Sequence, residues 1–210
     1  MNTDITIMNR VNGLQLLFGQ NHDDWQYTES ILSSVTPRMV SEKVAEICHQ
    51  IYQTTHPAQT PQTLWDPFGG TGLDTVSFSK YYDTITTELD AELFECLRQN
   101  VTRFHASDHR YEVLCADATV YRPTRTVDLI YLDPPWGETF RTGEVFDLMQ
   151  IKLQNQTSVM DYIEDLRQHV TKNMIIKSPI KNDNFREVWG DRVKWEVQFE
   201  KFRLKFFYLT

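Results

Sequence analysis

Cysteine is scarce in this chain, and the scarcity excludes two classes of protein. The 210 residues include three cysteines, Cys48, Cys96 and Cys115, whose spacing matches neither a disulfide framework nor a zinc site. Small secreted domains depend on such frameworks, so we expect an intracellular protein of the nucleus or cytoplasm that is not secreted. No cluster of metal-ligating residues appears either, and we expect no metal.

Long apolar runs and an excess of positive charge are also missing. No stretch is long and apolar enough to cross a bilayer, and no charged-then-apolar leader is apparent, so we expect no membrane association. The net charge of −8 disfavours a protein that grips long nucleic acid through many phosphates. Basic residues do crowd the last fifth of the chain. Two interpretations of them stay open: contact with phosphates, or a strand face that is exposed to solvent.

With 40% hydrophobic residues, the chain suits one globular domain, and we expect a monomer.

The first pattern with chemical content is a strand followed by a glycine-rich turn. Residues 63–66 predict a short buried strand that ends in Asp66, and Gly69, Gly70 and Gly72 follow it before a segment that can be helical. Such glycines allow a tight turn and the close approach of a ligand. No Gly-Lys-Ser/Thr follows, which excludes a triphosphate-binding loop, and the spacing departs from the full dinucleotide fingerprint.

Two later strands also end in an acid. Residues 83–88 place Glu88 about 20 residues past the glycine turn, where a carboxylate can hold the two hydroxyls of a ribose. Residues 111–117 end in Asp117, which is placed to meet an adenine amino group. Each acid alone is compatible with a solvated loop. Three successive strands that end in acids indicate a nucleoside-binding edge of a sheet.

Asp-Pro-Pro-Trp-Gly at 133–137 follows the apolar run 127–132. Two prolines cannot continue the hydrogen bonding of a strand, so the chain must turn out of the sheet and present Asp133 and Trp136 at its edge. Asp133 and the carbonyl of Pro134 could accept hydrogen bonds from the exocyclic amine of a flat base, and the Trp136 ring could stack on that base. The alternative is an ordinary strand-ending turn with one packing tryptophan.

Periodicity predicts the remaining elements. A helix is expected to start with Thr36 as N-cap and Pro37 in its first turn, and further helices are expected around 93–104 and 157–170. Residues 174–176 predict a strand. Period-two alternation on both sides of a turn at 200–201 predicts a closing hairpin. Before residue 36 no periodicity is sustained, which indicates a short helical or irregular extension.

The order of these motifs resembles the class I S-adenosylmethionine-dependent methyltransferases. Within that class, residues 133–137 together with Glu-Val-Phe-Asp at 144–147 resemble the trimethylguanosine synthase family, which methylates the N2 amine of a 7-methylguanosine RNA cap. Segments around 17–18, 34–37 and 175–179 are similar too, so the resemblance covers roughly residues 16–208. Members often carry Ser and Gly where this chain has Asp133 and Glu138.

The resemblance implies an α/β, Rossmann-like class I fold: a mostly parallel seven-stranded sheet, helices on both faces and a C-terminal antiparallel hairpin. It implies an N-terminal extension at 1–36 that packs on the cofactor and cap site, and a methyltransferase domain at 37–210. It also implies S-adenosylmethionine as cofactor, and 7-methylguanosine-capped RNA or a cap analogue as partner.

The resemblance further implies roles for individual residues. The expected cofactor-binding residues are Thr36, Pro37, Asp66, Phe68, Gly70, Gly72, Glu88, Asp117 and Asp133. The expected catalytic residues are Asp133, Pro134 and Trp136. The expected substrate-binding residues are Phe18, Trp136 and Lys177, with Lys177 meeting a cap phosphate.

Two alternatives stay open. Asp at position 133 is the choice seen in methyltransferases that act on adenine N6 in DNA or RNA. The usual target-recognition insert of those enzymes is missing, because only about 20 residues separate Trp136 from the next predicted helix. The other alternative is a methyltransferase-like binding subunit that has lost catalysis, against which the complete set of motif acids argues.

Overall fold

The structure, a computed structural model, describes residues 12–57, 62–105, 108–135, 150–181 and 185–210. Expectations placed on Trp136, Gly137, Glu138 and 144–147 lie outside the described residues. The helices described are α1 (12–18), α2 (Arg38–Thr55), α3 (Leu73–Phe78), α4 (Ala91–Phe104), α5 (Val159–His169) and α6 (Phe185–Trp189). The strands described are β1 (Thr63–Asp66), β2 (Asp83–Glu88), β3 (Tyr111–Cys115), β4 (Leu129–Leu132), β5 (Met174–Pro179), β6 (Val193–Phe199) and β7 (Leu204–Leu209).

The seven strands form one sheet in the order β3-β2-β1-β4-β5-β7-β6. Strands β1 to β5 pair in parallel, and β7 inserts antiparallel between β5 and β6. This arrangement confirms the predicted α/β fold with a mostly parallel seven-stranded sheet and a C-terminal antiparallel hairpin. The strand order reverses between β1 and β4, and ligands of open parallel sheets bind at the carboxyl ends of the strands beside such a reversal.

Side chains of the central strands alternate between two apolar layers. In β4, Leu129 and Tyr131 join the cluster formed with α2, whereas Ile130 and Leu132 join the cluster formed with α5. A strand sends successive side chains to opposite faces, so a strand covered by helices on both faces needs a continuous apolar run. That requirement explains why residues 129–132 are apolar throughout and fully buried. In the part of the chain that the structure describes, no helix is long and apolar enough to cross a membrane.

The predicted start of α2 was wrong by one residue. Pro37 occupies the N-cap position, and its carbonyl accepts hydrogen bonds from the amides of Val40 (2.8 Å) and Ser41 (3.0 Å). Thr36 makes no cap. Its Oγ1 instead donates to Oδ2 of Asp74 at 2.8 Å, so a bond to a distant residue has replaced the local one.

Candidate functional site

A cavity of about 500 Å³ opens at the carboxyl ends of β1 to β4. This volume lies in the range typical of small-molecule sites. Its floor consists of the residues that follow the four strands. Its other side is residues 30–36, which we call the N-terminal wall. The residues that line the cavity and enter the argument are Ser34, Thr36, Phe68, Gly70, Asp74, Glu88, Asp117, Asp133, Pro134 and Pro135.

The glycine-rich turn forms the part of the floor where backbone is open to a ligand. Gly70 has a φ of +53°, a conformation that favours glycine, and a Cβ added there would meet only Ile31 Cδ1 of the N-terminal wall, at 4.0 Å. A Cβ at Gly69 would lie 2.4 Å from Thr86 Oγ1, and one at Gly72 would lie 2.8 Å from Leu97 Cδ1. Gly69 and Gly72 therefore allow the turn to pack on β2 and α4, while Gly70 leaves space on the cavity side.

Glu88 ends β2 with its carboxylate on the cavity wall. Its Oε2 accepts a hydrogen bond from the Gly70 amide and its Oε1 accepts one from the Asp90 amide, each at 2.9 Å. Burial raises the pKa of Glu88 above its usual range, although the backbone amides of Asp90, Gly70 and Leu89 favour the ionised form. Since each carboxylate oxygen can accept a further bond, Glu88 suits a pair of hydroxyl donors such as those of a ribose.

Asp117 follows β3 and lies beside the end of β2. The Ala116 amide donates to the Glu88 carbonyl at 3.0 Å, which brings the two acids onto adjacent positions of the floor. Asp117 Oδ1 accepts bonds from the amide (2.9 Å) and hydroxyl (2.7 Å) of Thr119, so its side chain is fixed. A fixed carboxylate on the cavity wall is an acceptor for an amine donor such as that of adenine.

Asp133 follows β4, at the other side of the strand reversal. Its Oδ2 lies 2.5 Å from the ammonium of Lys177 on β5, and the same ammonium donates to the Ser34 carbonyl at 3.1 Å. Pro134 and Pro135 continue the cavity wall from Asp133, with Pro134 buried and Pro135 exposed. The cavity thus has a floor with acids for a nucleoside and, beyond the reversal, a carboxylate followed by two prolines.

A sequence model of the family described as RNA cap guanine-N2 methyltransferase matches residues 61–207. The chain belongs to this family. It is an S-adenosylmethionine-dependent methyltransferase, and S-adenosylmethionine is its cofactor. The cavity suits that cofactor, because open backbone at Gly70 and acceptor carboxylates at Glu88 and Asp117 correspond to the needs of a nucleoside.

Solved structures support the same fold. A protein of Porphyromonas gingivalis W83, provisionally assigned as a methyltransferase, superposes with a TM-score of 0.66 at 13% identity, over 94% of this chain and 47% of its own. A conserved hypothetical protein of Streptococcus pyogenes gives 0.52 at 15% identity, over 77% and 93%. The type I restriction-modification methyltransferase subunit of Streptococcus thermophilus gives 0.52 at 13% identity, over 83% and 44%.

The structure of this methyltransferase brings seven of the expected site residues together on the cavity wall: Thr36, Phe68, Gly70, Glu88, Asp117, Asp133 and Pro134. Pro37, Asp66 and Gly72 do not line it but belong to the elements directly behind it. In the described part of the chain, no group of three or more His, Cys, Asp or Glu side chains is arranged to hold a metal ion.

Phe18 does not lie where a substrate-binding residue should. Its ring is fully buried and stacks on the rings of Trp25 (5.5 Å) and Tyr27 (5.4 Å). A ring enclosed on both sides cannot also stack on a base. In this structure Phe18 packs in a cluster with Trp25 and Leu73 and is not itself part of the cavity lining.

Lys177 also differs from its expected role. Its side chain is only 3% exposed and does not line the cavity, and its ammonium is bonded to Asp133 and to the Ser34 carbonyl. A lysine buried in this way does not present its ammonium to a cap phosphate. The expected phosphate contact is therefore replaced by the bonds to Asp133 and to the Ser34 carbonyl.

Asp74 was not singled out from the sequence, yet it lines the cavity in the first turn of α3. It accepts the Thr36 bond through Oδ2, and its Oδ1 is buried without a hydrogen bond. An acid in the first turn of a helix is usually explained by the helix dipole, which is why its position by itself gave no signal. Its contact with the wall is visible only in three dimensions.

Proposed function

We propose that this methyltransferase transfers the methyl group of S-adenosylmethionine to the N2 amine of a 7-methylguanosine RNA cap. The observation that carries the proposal is the Asp133-Pro134-Pro135 turn on the cavity wall, in a chain that belongs to the cap guanine-N2 family. The turn offers acceptors to an amine, and it lies across the strand reversal from the acids suited to a nucleoside.

The proposed work of the protein is alignment. The cofactor supplies a methyl group on a sulfonium, which is already a good leaving group. Asp133 and the Pro134 carbonyl accept hydrogen bonds from the amine and direct its lone pair toward the methyl group. Good alignment alone lowers a barrier by roughly 7–11 kcal/mol. Asp133 acts as an acceptor rather than a general base, because the amine can lose its proton to solvent after transfer.

The proposed cofactor contacts follow the floor of the cavity. Glu88 holds the ribose hydroxyls, Asp117 accepts from the adenine amine, and the open backbone at Gly70 allows close approach. Asp74 and Thr36 border the same floor, where the Asp74 carboxylate suits a positively charged group of the cofactor. The support for these roles is the position of each residue on the lining and the donors or acceptors that it presents.

Trp136, which lies outside the described residues, is proposed to stack on the base. A 7-methylated guanine carries a positive charge, so stacking gains a cation–π energy of about 0.5–2 kcal/mol over plain guanine. This energy supplies a physical reason for preferring a cap that already has the 7-methyl group.

The test is methyl incorporation from labelled S-adenosylmethionine into 7-methyl-GTP, with plain GTP as the matched substrate. We expect transfer to the 7-methylated compound alone, and loss of that transfer in Trp136→Ala but retention in Trp136→Phe. Equal transfer to both compounds would remove the stacking argument. Transfer to neither compound, with cofactor binding intact, would contradict the proposal that a cap nucleotide without attached RNA is a sufficient substrate.

The adenine alternative is kept for one reason, the carboxylate at position 133. The same assay with adenine-containing DNA and RNA oligonucleotides addresses it, since product analysis separates N6-methyladenine from N2-methylguanine. The binding-subunit alternative is separated by calorimetry, because a chain that binds S-adenosylmethionine and transfers nothing to any of these substrates would fit it.

A further inference from the structure

Lys177 joins three parts of the site that are far apart in sequence. It belongs to β5, its Nζ lies 2.5 Å from Asp133 Oδ2 after β4, and it donates to the Ser34 carbonyl of the N-terminal wall at 3.1 Å. Its side chain is 3% exposed and that of Asp133 is 15% exposed. Water therefore screens the attraction between the two charges only weakly, and each charge stabilises the other.

The surroundings of Asp133 are otherwise acidic. Asp66 on β1 and Asp74 on α3 carry carboxyls toward the same region, and the buried Tyr131 hydroxyl of β4 lies within the influence of all three acids. Lys177 is a cation bonded to Asp133. Loss of its charge would leave the Asp133 carboxylate near two further carboxyls and a buried phenol with less positive charge close by, and this change favours uptake of a proton.

We propose that Lys177 is a positioning residue for methyl transfer. It keeps the Asp133 carboxylate ionised and oriented beside the Pro134 carbonyl, and through Ser34 it fixes the N-terminal wall against the same point. The amine acceptor and the wall of the cavity are thus set by one ammonium group. This inference rests on the proposed function of Asp133 as acceptor for the target amine.

The test uses Lys177→Met, Asp133→Asn and the double variant. Each single change removes one charge of the Lys177–Asp133 pair and keeps the opposite charge, whereas the double change removes both and keeps an amide oxygen as acceptor. We expect methyl transfer to fall more than about tenfold in Lys177→Met and to recover about tenfold when Asp133→Asn is added. The acid limb of the pH–rate profile should move to higher pH in Lys177→Met and should not move when Lys177→Met is introduced into Asp133→Asn.

The matched control is Lys205→Met. Lys205 of β7 is also a largely buried lysine, and it pairs with Ser178 of the neighbouring strand β5. Its ammonium lies 3.9 Å from Glu196, and it does not line the cavity. Loss of a buried lysine alone would affect both variants alike. We expect the acid limb of Lys205→Met to match that of the unaltered protein.

A readout that needs no substrate separates this inference from the proposed function. The side-chain ¹³C carboxyl signal of Asp133, assigned by its loss in Asp133→Asn, should titrate at higher pH in Lys177→Met than in the unaltered protein. If the unaltered protein methylates no cap analogue, the proposed function fails and this titration still tests Lys177. If transfer to the cap occurs but neither the acid limb nor the carboxyl titration moves, Lys177 has no positioning role.

Discussion

The raised pKa of Glu88 gives a direct test of its role in cofactor binding. Its pKa is raised by burial above the usual 4.5, and only the ionised form accepts two hydroxyl bonds without a competing proton. Affinity for S-adenosylmethionine should therefore weaken as the pH falls through the Glu88 pKa, at a pH above 4.5. Glu88→Gln should bind about 10- to 100-fold more weakly at neutral pH and with less pH dependence, as calorimetry at several pH values would show.

The control for that experiment is Glu92→Gln, an exposed acid in the first turn of α4 that does not line the cavity. It removes one negative charge from the same region of the protein. Equal affinity losses in Glu88→Gln and Glu92→Gln would point to net charge and would contradict a specific role for Glu88.

The raised pKa of Asp66 predicts that the free energy of unfolding depends on pH. Burial raises its pKa to about 8, and the Asp74 and Asp133 carboxylates add to the rise, whereas the unfolded chain has a value near 3.8. Between these values the folded protein binds a proton that the unfolded chain releases, so the free energy of unfolding falls as the pH rises, by up to about 1.4 kcal/mol per pH unit.

Asp66→Asn should remove this decline, because an amide oxygen can still accept the bond that Thr75 Oγ1 donates at 2.6 Å. Urea unfolding at pH 5 and pH 8 measures the effect. We expect the variant to gain stability relative to the unaltered protein at pH 8 more than at pH 5. An equal difference at both pH values would mean that Asp66 does not titrate in this range.

The sequence could predict which acids meet at the edge of the sheet, because parallel strands end at one edge. It could not predict which of them face the cavity. Asp66 is the last residue of β1 and is directed into the interior, whereas Glu88 at the end of β2 lies on the cavity wall. The sense in which a side chain leaves its strand depends on the pairing register, which one strand by itself does not reveal.

At the scale of elements, Asn100 of α4 joins the segment before the N-terminal wall to the glycine-rich turn. Its Nδ2 donates to the carbonyls of Gln26 (2.7 Å) and Thr71 (2.8 Å), and its Oδ1 accepts from the Gln26 amide at 2.8 Å. The side chain is 1% exposed. The segment that leads into the N-terminal wall is thus bonded to the glycine-rich turn through one amide group.

Asn100→Asp should break this connection, since a carboxylate donates no hydrogen bond and would face two carbonyl oxygens. We expect a loss of about 1–3 kcal/mol in the free energy of unfolding and weaker S-adenosylmethionine binding. Gln99→Glu makes the same amide-to-acid change at an exposed neighbour and should alter neither quantity by more than about 0.5 kcal/mol. Unchanged cofactor affinity in Asn100→Asp would mean that this connection does not support the cofactor site.

Helices and strands with sustained periodicity could be predicted, whereas the short helix α6 could not. The helix around 157–170 and the hairpin appear in the structure as α5 and the β6–β7 pair. The five-residue α6 was missed because it is too short for a period of 3.6 to show. It forms through packing, with the Phe185 ring stacked on Phe207 at 3.9 Å.

At the scale of the whole molecule, part of the positive charge near the C-terminus is paired with acids of the same chain. Arg186 pairs with Glu196 at 2.8 Å, Arg192 pairs with Glu164 at 3.1 Å, and Lys177 pairs with Asp133. The sequence showed a crowd of basic residues in this region but not their partners, which lie on other elements. These pairs leave fewer cations for phosphates than the count of lysines and arginines suggests.

The net charge of −8 and these internal pairs together predict weak dependence of RNA binding on salt. A protein that neutralises 6–10 phosphates loses roughly 10³–10⁵ in affinity between 50 and 200 mM salt. We expect the KM for a capped oligonucleotide to rise less than about tenfold over that range, and to stay close to the KM for 7-methyl-GTP, because recognition would depend on the cap. A steep rise with salt, together with a much lower KM for the longer RNA, would instead show that the RNA body is held by basic residues of this chain.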